Sequence, residues 1–201
     1  MTTQTPAQEE RNNLFPVFLK LEELETLIVG GGNVGLEKLN ALLKSSPSAK
    51  VTLVSIKIHD DIRALAIQAK NIKLIEREFR ARDLHNKDVA ILATDDQNLH
   101  KRIRGLARKR RLLVNVADTP GLCDFYLGSV VTKGNVKIGI STNGKSPTIA
   151  KRMREFFEEA IPDNTNDLLE NMQHIRDKIK GDFKHKVEML NEITASWLKK
   201  S

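Results

Sequence analysis

The sequence predicts a doubly wound α/β fold, and three observations carry that prediction. Short β-branched runs alternate with helical patterns through the first 116 residues, which implies parallel strands joined by right-handed crossovers. A cluster of glycines follows the first apolar run and opens the first helix, where such sheets turn tightly toward a ligand. Over 201 residues the chain is 40% apolar and 29% charged, enough to bury a sizeable core, and this excludes a mainly disordered polymer.

Taken in order, strands are expected at Glu25 to Val29, Lys50 to Ile56, Ile72 to Glu76, Val89 to Thr94 and Leu112 to Val116. Helices fall near 33–45, 60–70 and 97–110, with Asp60 and Asp61 at the start of the second. Residues 1–13 are polar and read as a frayed tail without the apolar core of a signal peptide. From Gly128 the pattern changes, because Lys133-Gly134-Asn135 supplies turn chemistry between two extended runs, so a β-hairpin is expected. After Pro147 the chain reads as helical, with Leu168, Met172, Ile175, Ile179, Phe183, Val187, Leu190, Ile193 and Trp197 at helical spacing and Gly181 as a break or kink. The resulting domains are 14–118 for the sheet, 119–147 for a dimerisation and substrate region, and 148–201 for a helical region.

Composition narrows the function classes. Nine aromatic residues are too few for a serial stacking platform on single-stranded nucleic acid. The lone Cys123 allows neither an intrachain disulfide nor a multi-cysteine zinc site, and with no apolar stretch near the roughly 20 residues of a membrane span the expected place is the cytoplasm. The formal net charge of +7 is local: Lys101, Arg102, Arg104, Arg108, Lys109, Arg110 and Arg111 stand between residues 97 and 117 without an acidic residue. Leu99, Ile103, Leu106 and Ala107 form the buried stripe of that helix, so its outer face is cationic. Such a face is either a solvated surface or a landing site for a polyanion. His59, His85, His100, His174 and His185 show no metal-ligand spacing, so no metal residues are assigned.

Gly30, Gly32 and Gly35 satisfy G-x-G-x-x-G directly after Leu27-Ile28-Val29, in the strand and helix context that a Rossmann-type dinucleotide loop requires. Gly30 permits the tight turn, Gly32 the approach of a pyrophosphate, and Gly35 close packing of the helix. The helix N-terminus offers free N–H groups to the phosphates. The acidic residue expected about 20 positions later to hold the ribose of NAD is missing, since Val54-Ser55-Ile56-Lys57 stands there. Ser55 suits a ribose hydroxyl and Lys57 a 2′-phosphate, which leaves NAD against NADP open.

Gly139 to Ser146 also fits G-x-x-x-x-G-K-[ST], the phosphate loop of nucleotide hydrolases. Pro147 follows at once, whereas a phosphate loop's Lys and Ser already lie in the helix start, and the motif comes after a full dinucleotide fold. A polar turn facing substrate is the preferred reading.

Together, Leu14 to Phe18, GGGNVGLEK at 30–38, ATDD at 93–96, VNVADTPGLCDF at 114–125 and ISTNGKSP at 140–147 resemble the precorrin-2 dehydrogenase/sirohydrochlorin ferrochelatase family, in a short form without the methyltransferase domain. The resemblance implies NAD-dependent oxidation of precorrin-2 to sirohydrochlorin and, in many members, insertion of Fe(II) to give siroheme, by a homodimer. It assigns Gly30, Gly31, Gly32, Asn33 and Val34 to the cofactor loop, Ser55, Ile56 and Lys57 to the adenosine side, and Thr94 and Asp95 to the loop after the fourth strand. Asp118 matches the catalytic aspartate. Ser141, Thr142, Asn143 and Lys145 match the substrate turn. Gly35 replaces a usual Ala, Glu37 an often basic residue, Asn143 a usual Gly and Gly128 a usual Pro. The rival reading is a dinucleotide-binding regulator that lays helix 97–111 on nucleic acid; neither reading involves a membrane.

Overall fold

The computed structural model describes residues 11–194 except Asn164, with the side chains of Leu168, Ile193 and Thr194 also left aside. Trp197 and most of the tail assigned to residues 1–13 lie outside the described residues. The described residues fall into two compact units, one of 11–128 with 141–147 and one of 129–140 with the described part of 148–194.

The first unit is a five-stranded parallel sheet of β1 (Glu25–Gly31), β2 (Lys50–Ile58), β3 (Ile72–Glu76), β4 (Val89–Leu92) and β5 (Leu113–Val116), in the order β3-β2-β1-β4-β5. Helices α1 (Asn33–Ser45), α2 (Asp60–Gln68) and α3 (Gln97–Lys109) make the crossovers. Alternation along the central strands builds a core on each face. Ile28 and Ile91 join Leu39, Leu42 and Ile62 on one side, while Leu27, Val29, Ala90 and Leu92 join Ile103 and Ala107 on the other. The strand order reverses between β1 and β4, and ligands of such sheets bind at the carboxyl ends beside that switch.

Four strand boundaries depart from expectation. β1 and β2 each run two residues further, to Gly31 and Ile58, because after an irregularity Gly31 pairs with Ile58. β4 stops at Leu92, two residues early, where the chain leaves the ladder after Ala93 N–H reaches the Val29 carbonyl at 2.8 Å. β5 starts at Leu113 because the Leu112 N–H closes onto the Ala107 carbonyl of α3.

In the second unit, β6 (Ser129–Lys133) and β7 (Val136–Ile140) form the expected antiparallel hairpin. Its two-residue loop begins with Gly134 at φ 55°, a backbone state open to glycine. The C-terminal part forms α4 (Pro147–Ala160), α5 (Thr165–Lys178) and α6 (Phe183–Thr194), and the expected apolar stripe is divided between the last two, Leu168, Met172 and Ile175 on α5 and Phe183, Val187, Leu190 and Ile193 on α6. Gly181, at φ 125°, lies between the last two, so it separates helices instead of kinking one. Among the described residues of this unit the buried ones are Val131, Ile140 and Ala150, packed with Ile138, Phe157 and Ile161.

Candidate active site

The glycine loop is shaped by close backbone approach at three of its glycines and by open space at a fourth. Gly30 adopts φ 112°, and a Cβ there would run into the Ala93 carbonyl oxygen. A Cβ on Gly31 would lie 2.8 Å from the Lys57 carbonyl oxygen and 3.0 Å from Ser55 Cβ. The Gly31 carbonyl also accepts from the His59 N–H at 2.8 Å, which ties the loop to the end of β2. At Gly32, by contrast, an added Cβ would meet no protein atom within 4 Å. Gly35 packs its α-carbon on the Gly30 carbonyl, so the family's usual Ala would force a shift there.

Electrostatics at the three helix starts in this sheet differ in the same sense. α3 is capped by Asp96, whose carboxylate accepts from the Asn98 and Leu99 N–H groups at 2.9 Å, and α2 by His59 Nδ1. α1 has Gly32 at its N-cap position, which supplies no side-chain cap, and no acidic residue in its first turn. Its leading N–H groups, from Asn33 and Val34 onward, therefore remain for an external anion, with the positive end of the helix dipole behind them. The open space at Gly32 and these uncapped donors fit the pyrophosphate of a dinucleotide.

Ser55 is half-buried while Ile56 and Lys57 are exposed, all at the end of β2 beside Gly31. Thr94 and the exposed Asp95 follow β4, and Thr94 Cγ2 lies 3.0 Å from a Cβ placed on Gly30. The loop thus gathers Gly30, Gly31, Ser55, Lys57 and Thr94 at one sheet edge. A hollow of about 220 Å³ bounded by Lys50, Lys70 and Lys73 lies at the opposite, amino edge, away from these residues.

Asp118 stands two residues beyond β5 at the same carboxyl edge, exposed, at φ 55°. Left-handed backbone is unusual outside glycine and is tolerated best by Asn and Asp. Its carboxylate makes no hydrogen bond or ion pair with the described residues. The turn itself is held from behind by residues to which the sequence reading assigns no such role. Cys123 Sγ accepts from the Val116 N–H at 3.2 Å and donates to the Val116 carbonyl at 3.3 Å, and burial pushes its thiol pKa up, so it stays protonated for that role. Asp124 accepts from the Val114 N–H at 3.0 Å and from Arg104 at 2.5 Å. Buried Asn115 donates to the Phe125 carbonyl at 2.9 Å. The signal was present, since all three belong to the VNVADTPGLCDF run.

Arg104 is therefore removed from the free cationic face of α3; Lys101, Arg102, Arg108, Lys109, Arg110 and Arg111 remain exposed on or just after it.

The Ser141 to Lys145 turn belongs to the sheet unit. Ser141 Oγ accepts from the Asn143 N–H at 3.2 Å, and Asn12 donates to the Ser141 carbonyl at 3.3 Å. Thr142 Oγ1 binds both the N–H and the carbonyl of Ser146, at 3.3 and 3.2 Å. Asn143 takes φ 54° and Gly144 φ 75°, so Asn stands at 143 in a backbone state it tolerates. Lys145 and Ser146 precede α4, which opens at Pro147, so the turn lacks the helix-embedded Lys-Ser of a phosphate loop. Asp118 makes no bond to this turn or to the glycine loop.

Among the described residues no group of three His, Cys, Asp or Glu is placed to hold a metal, and no helix is long and apolar enough to cross a membrane.

Comparison with known proteins agrees with this geometry. The family described as "Putative NAD(P)-binding" matches residues 17–129, and the sirohaem biosynthesis protein central family matches residues 133–160. The siroheme synthase of Psychrobacter arcticus is 37% identical over 92% of this chain, and that of Pseudoalteromonas translucida 36% identical over 85%. These alignments cover 32% and 35% of those proteins, so the chain spans about a third of the length of the curated relatives it matches. A solved structure described as SirC, precorrin-2 dehydrogenase, superposes with a TM-score of 0.72 at 22% identity, covering 90% of this chain and 89% of the other, and so shares its fold. These matches bear out the resemblance read from the motifs. Because the first family match spans more than half of the chain and takes in the sheet, the glycine loop and the Asp118 turn, the chain belongs to the NAD(P)-binding family, continued by the central segment of sirohaem biosynthesis proteins.

Proposed function

We propose that this chain oxidises precorrin-2 to sirohydrochlorin with NAD as hydride acceptor, that it inserts Fe(II) into the product in the same cleft, and that it works as a homodimer. One observation carries the reading: an NAD(P)-binding sheet with an open glycine loop is followed in the same chain by a sirohaem central segment.

In this reading Gly30 to Val34 cradle the pyrophosphate, Ser55 to Lys57 border the adenosine ribose, and Thr94 and Asp95 border the nicotinamide half. The bound nicotinamide supplies a two-electron hydride acceptor. The chain's own task is then to take the remaining proton. Asp118 does so as a general base, and with no partner among the described residues both its oxygens are free for substrate. The same carboxylate would accept pyrrole protons as Fe(II) enters. Ser141, Thr142, Asn143 and Lys145 offer hydroxyl, amide and ammonium donors to the carboxylates that ring a tetrapyrrole, and the exposed cations of α3 attract that polyanion over longer range.

The test supplies precorrin-2 with NAD or NADP and follows sirohydrochlorin and reduced cofactor together, then adds Fe(II). No turnover with either nucleotide would sink the reading. Tight duplex DNA binding with a steep salt dependence, without turnover, would instead support the nucleic-acid regulator.

A further inference from the structure

Behind the glycine turn lies a histidine that the motif reading leaves without a role. His100, on α3, is 3% exposed. Its Nε2 lies 2.9 Å from Thr94 Oγ1, while its Nδ1 is buried with no hydrogen-bond partner. These two facts select a tautomer. Orphaned buried N–H groups are rarer than unfilled acceptors, so the proton belongs on Nε2 and the lone pair on Nδ1. An imidazolium would add an unmatched N–H to the interior, and burial accordingly lowers the His100 pKa, with Asp96 and Asp95 opposing the shift.

With Nε2–H as donor, the Thr94 oxygen accepts, and the hydroxyl's own proton has to be directed elsewhere. No acceptor among the described residues takes it. Thr94 follows β4 and borders Gly30, on the far side of β1 from β2. Since the end of β2 serves the adenosine half, the end of β4 serves the nicotinamide half.

We propose that His100 is a positioning residue of the dinucleotide site: by donating through Nε2 it commits the Thr94 hydroxyl to donate to an oxygen in the nicotinamide half of the bound cofactor. The proposal rests on the reading of the glycine loop as the dinucleotide site.

Two measurements test it on the full chain. Long-range 1H–15N correlation spectra at neutral pH should show His100 neutral with its proton on Nε2; a proton on Nδ1, or a charged ring, would overturn it. Calorimetry with NAD and with ADP gives the second readout. Thr94→Val should weaken NAD about three- to tenfold, the usual effect of one hydrogen bond, and leave ADP unchanged. His100→Leu should weaken NAD similarly, the double variant no further, and His100→Gln, which keeps a donor, should recover most of the affinity. Additive losses in the double variant, or an equal loss for ADP, would overturn the proposal, as would unchanged NAD binding by Thr94→Val. Failure of the wild-type chain to bind either NAD or NADP would instead overturn the dinucleotide reading beneath it.

Discussion

At Gly32 the backbone has φ −85°, which any residue adopts, and a Cβ there meets nothing, so the fold has no need of glycine at this point. The need comes from the ligand. Gly32→Val should therefore abolish NAD binding in calorimetry while its urea midpoint stays near that of the wild type; retained affinity would remove this loop as the site. Gly30→Ala is the opposite case, since its positive φ and the Ala93 carbonyl make the residue structural, and about 1–3 kcal/mol of stability should be lost. Asp118 also sits in left-handed backbone, so Asn, which shares that tolerance, is the informative replacement. Asp118→Asn should hold stability within about 0.5 kcal/mol yet lower the dehydrogenase rate by roughly 10²- to 10⁴-fold, with NAD affinity unchanged. Wild-type turnover by that variant would end its assignment as base. The glycines were legible because their spacing after a strand is a local signal, whereas Asp118 stood out only through the family resemblance, since spacing alone leaves it a turn aspartate before Thr119-Pro120. Asn115, Cys123 and Asp124 were not separable from Asp118 by spacing, because their work is to reach back to β5, and only the folded chain shows that return.

At the scale of elements, legibility followed the origin of each boundary. α1 and β3 were read with their observed limits, since an apolar period and flanking turn residues define them within their own segment. The ends of β2 and β4 depend on pairing across the glycine loop, which no single segment encodes. α3 was legible as a basic amphipathic helix, but its stripe also contains His100, which periodicity in apolar residues passes over. That residue gives the element a pH signature. The unfolded chain takes up a proton near pH 6.5, whereas the folded one resists until lower pH because burial disfavours the cation, against the partial pull of Asp96 and Asp95. Its contribution is complete well above pH 6.5 and is lost as pH falls through that value, levelling off below the folded pKa. Asp83 adds a second window further down. Arg77 holds its carboxyl below the usual range with hydrogen bonds of 2.7 and 2.8 Å, so that contribution disappears as pH falls below about 4. Urea unfolding between pH 7 and 5 should show a flatter loss for His100→Gln than for the wild type. Parallel curves would mean that His100 carries none of the acid sensitivity.

For the whole molecule, the two units differ in how much they bury. The sheet unit has a core on both faces, whereas the second buries only Val131, Ile140 and Ala150 among the described residues. A two-stranded hairpin with so little behind it is marginal. Its α4 also leaves Ile149 (53%), Met153 (43%) and Phe156 (64%) exposed at i, i+4 and i+7, an apolar stripe of one helix face in water. A second copy of the chain meeting it across a two-fold axis would cover that stripe with its own equivalent, because an isologous contact needs only one self-complementary surface. Light scattering at micromolar concentration should then give twice the monomer mass of 22.6 kDa. Phe156→Asp places a carboxylate on the stripe and should shift the protein to monomer. Its NAD affinity, which reads the separate sheet unit, should stay within about threefold, showing that the chain still folds. A wild-type monomer, or a Phe156→Asp variant that remains dimeric, would exclude this face as the interface.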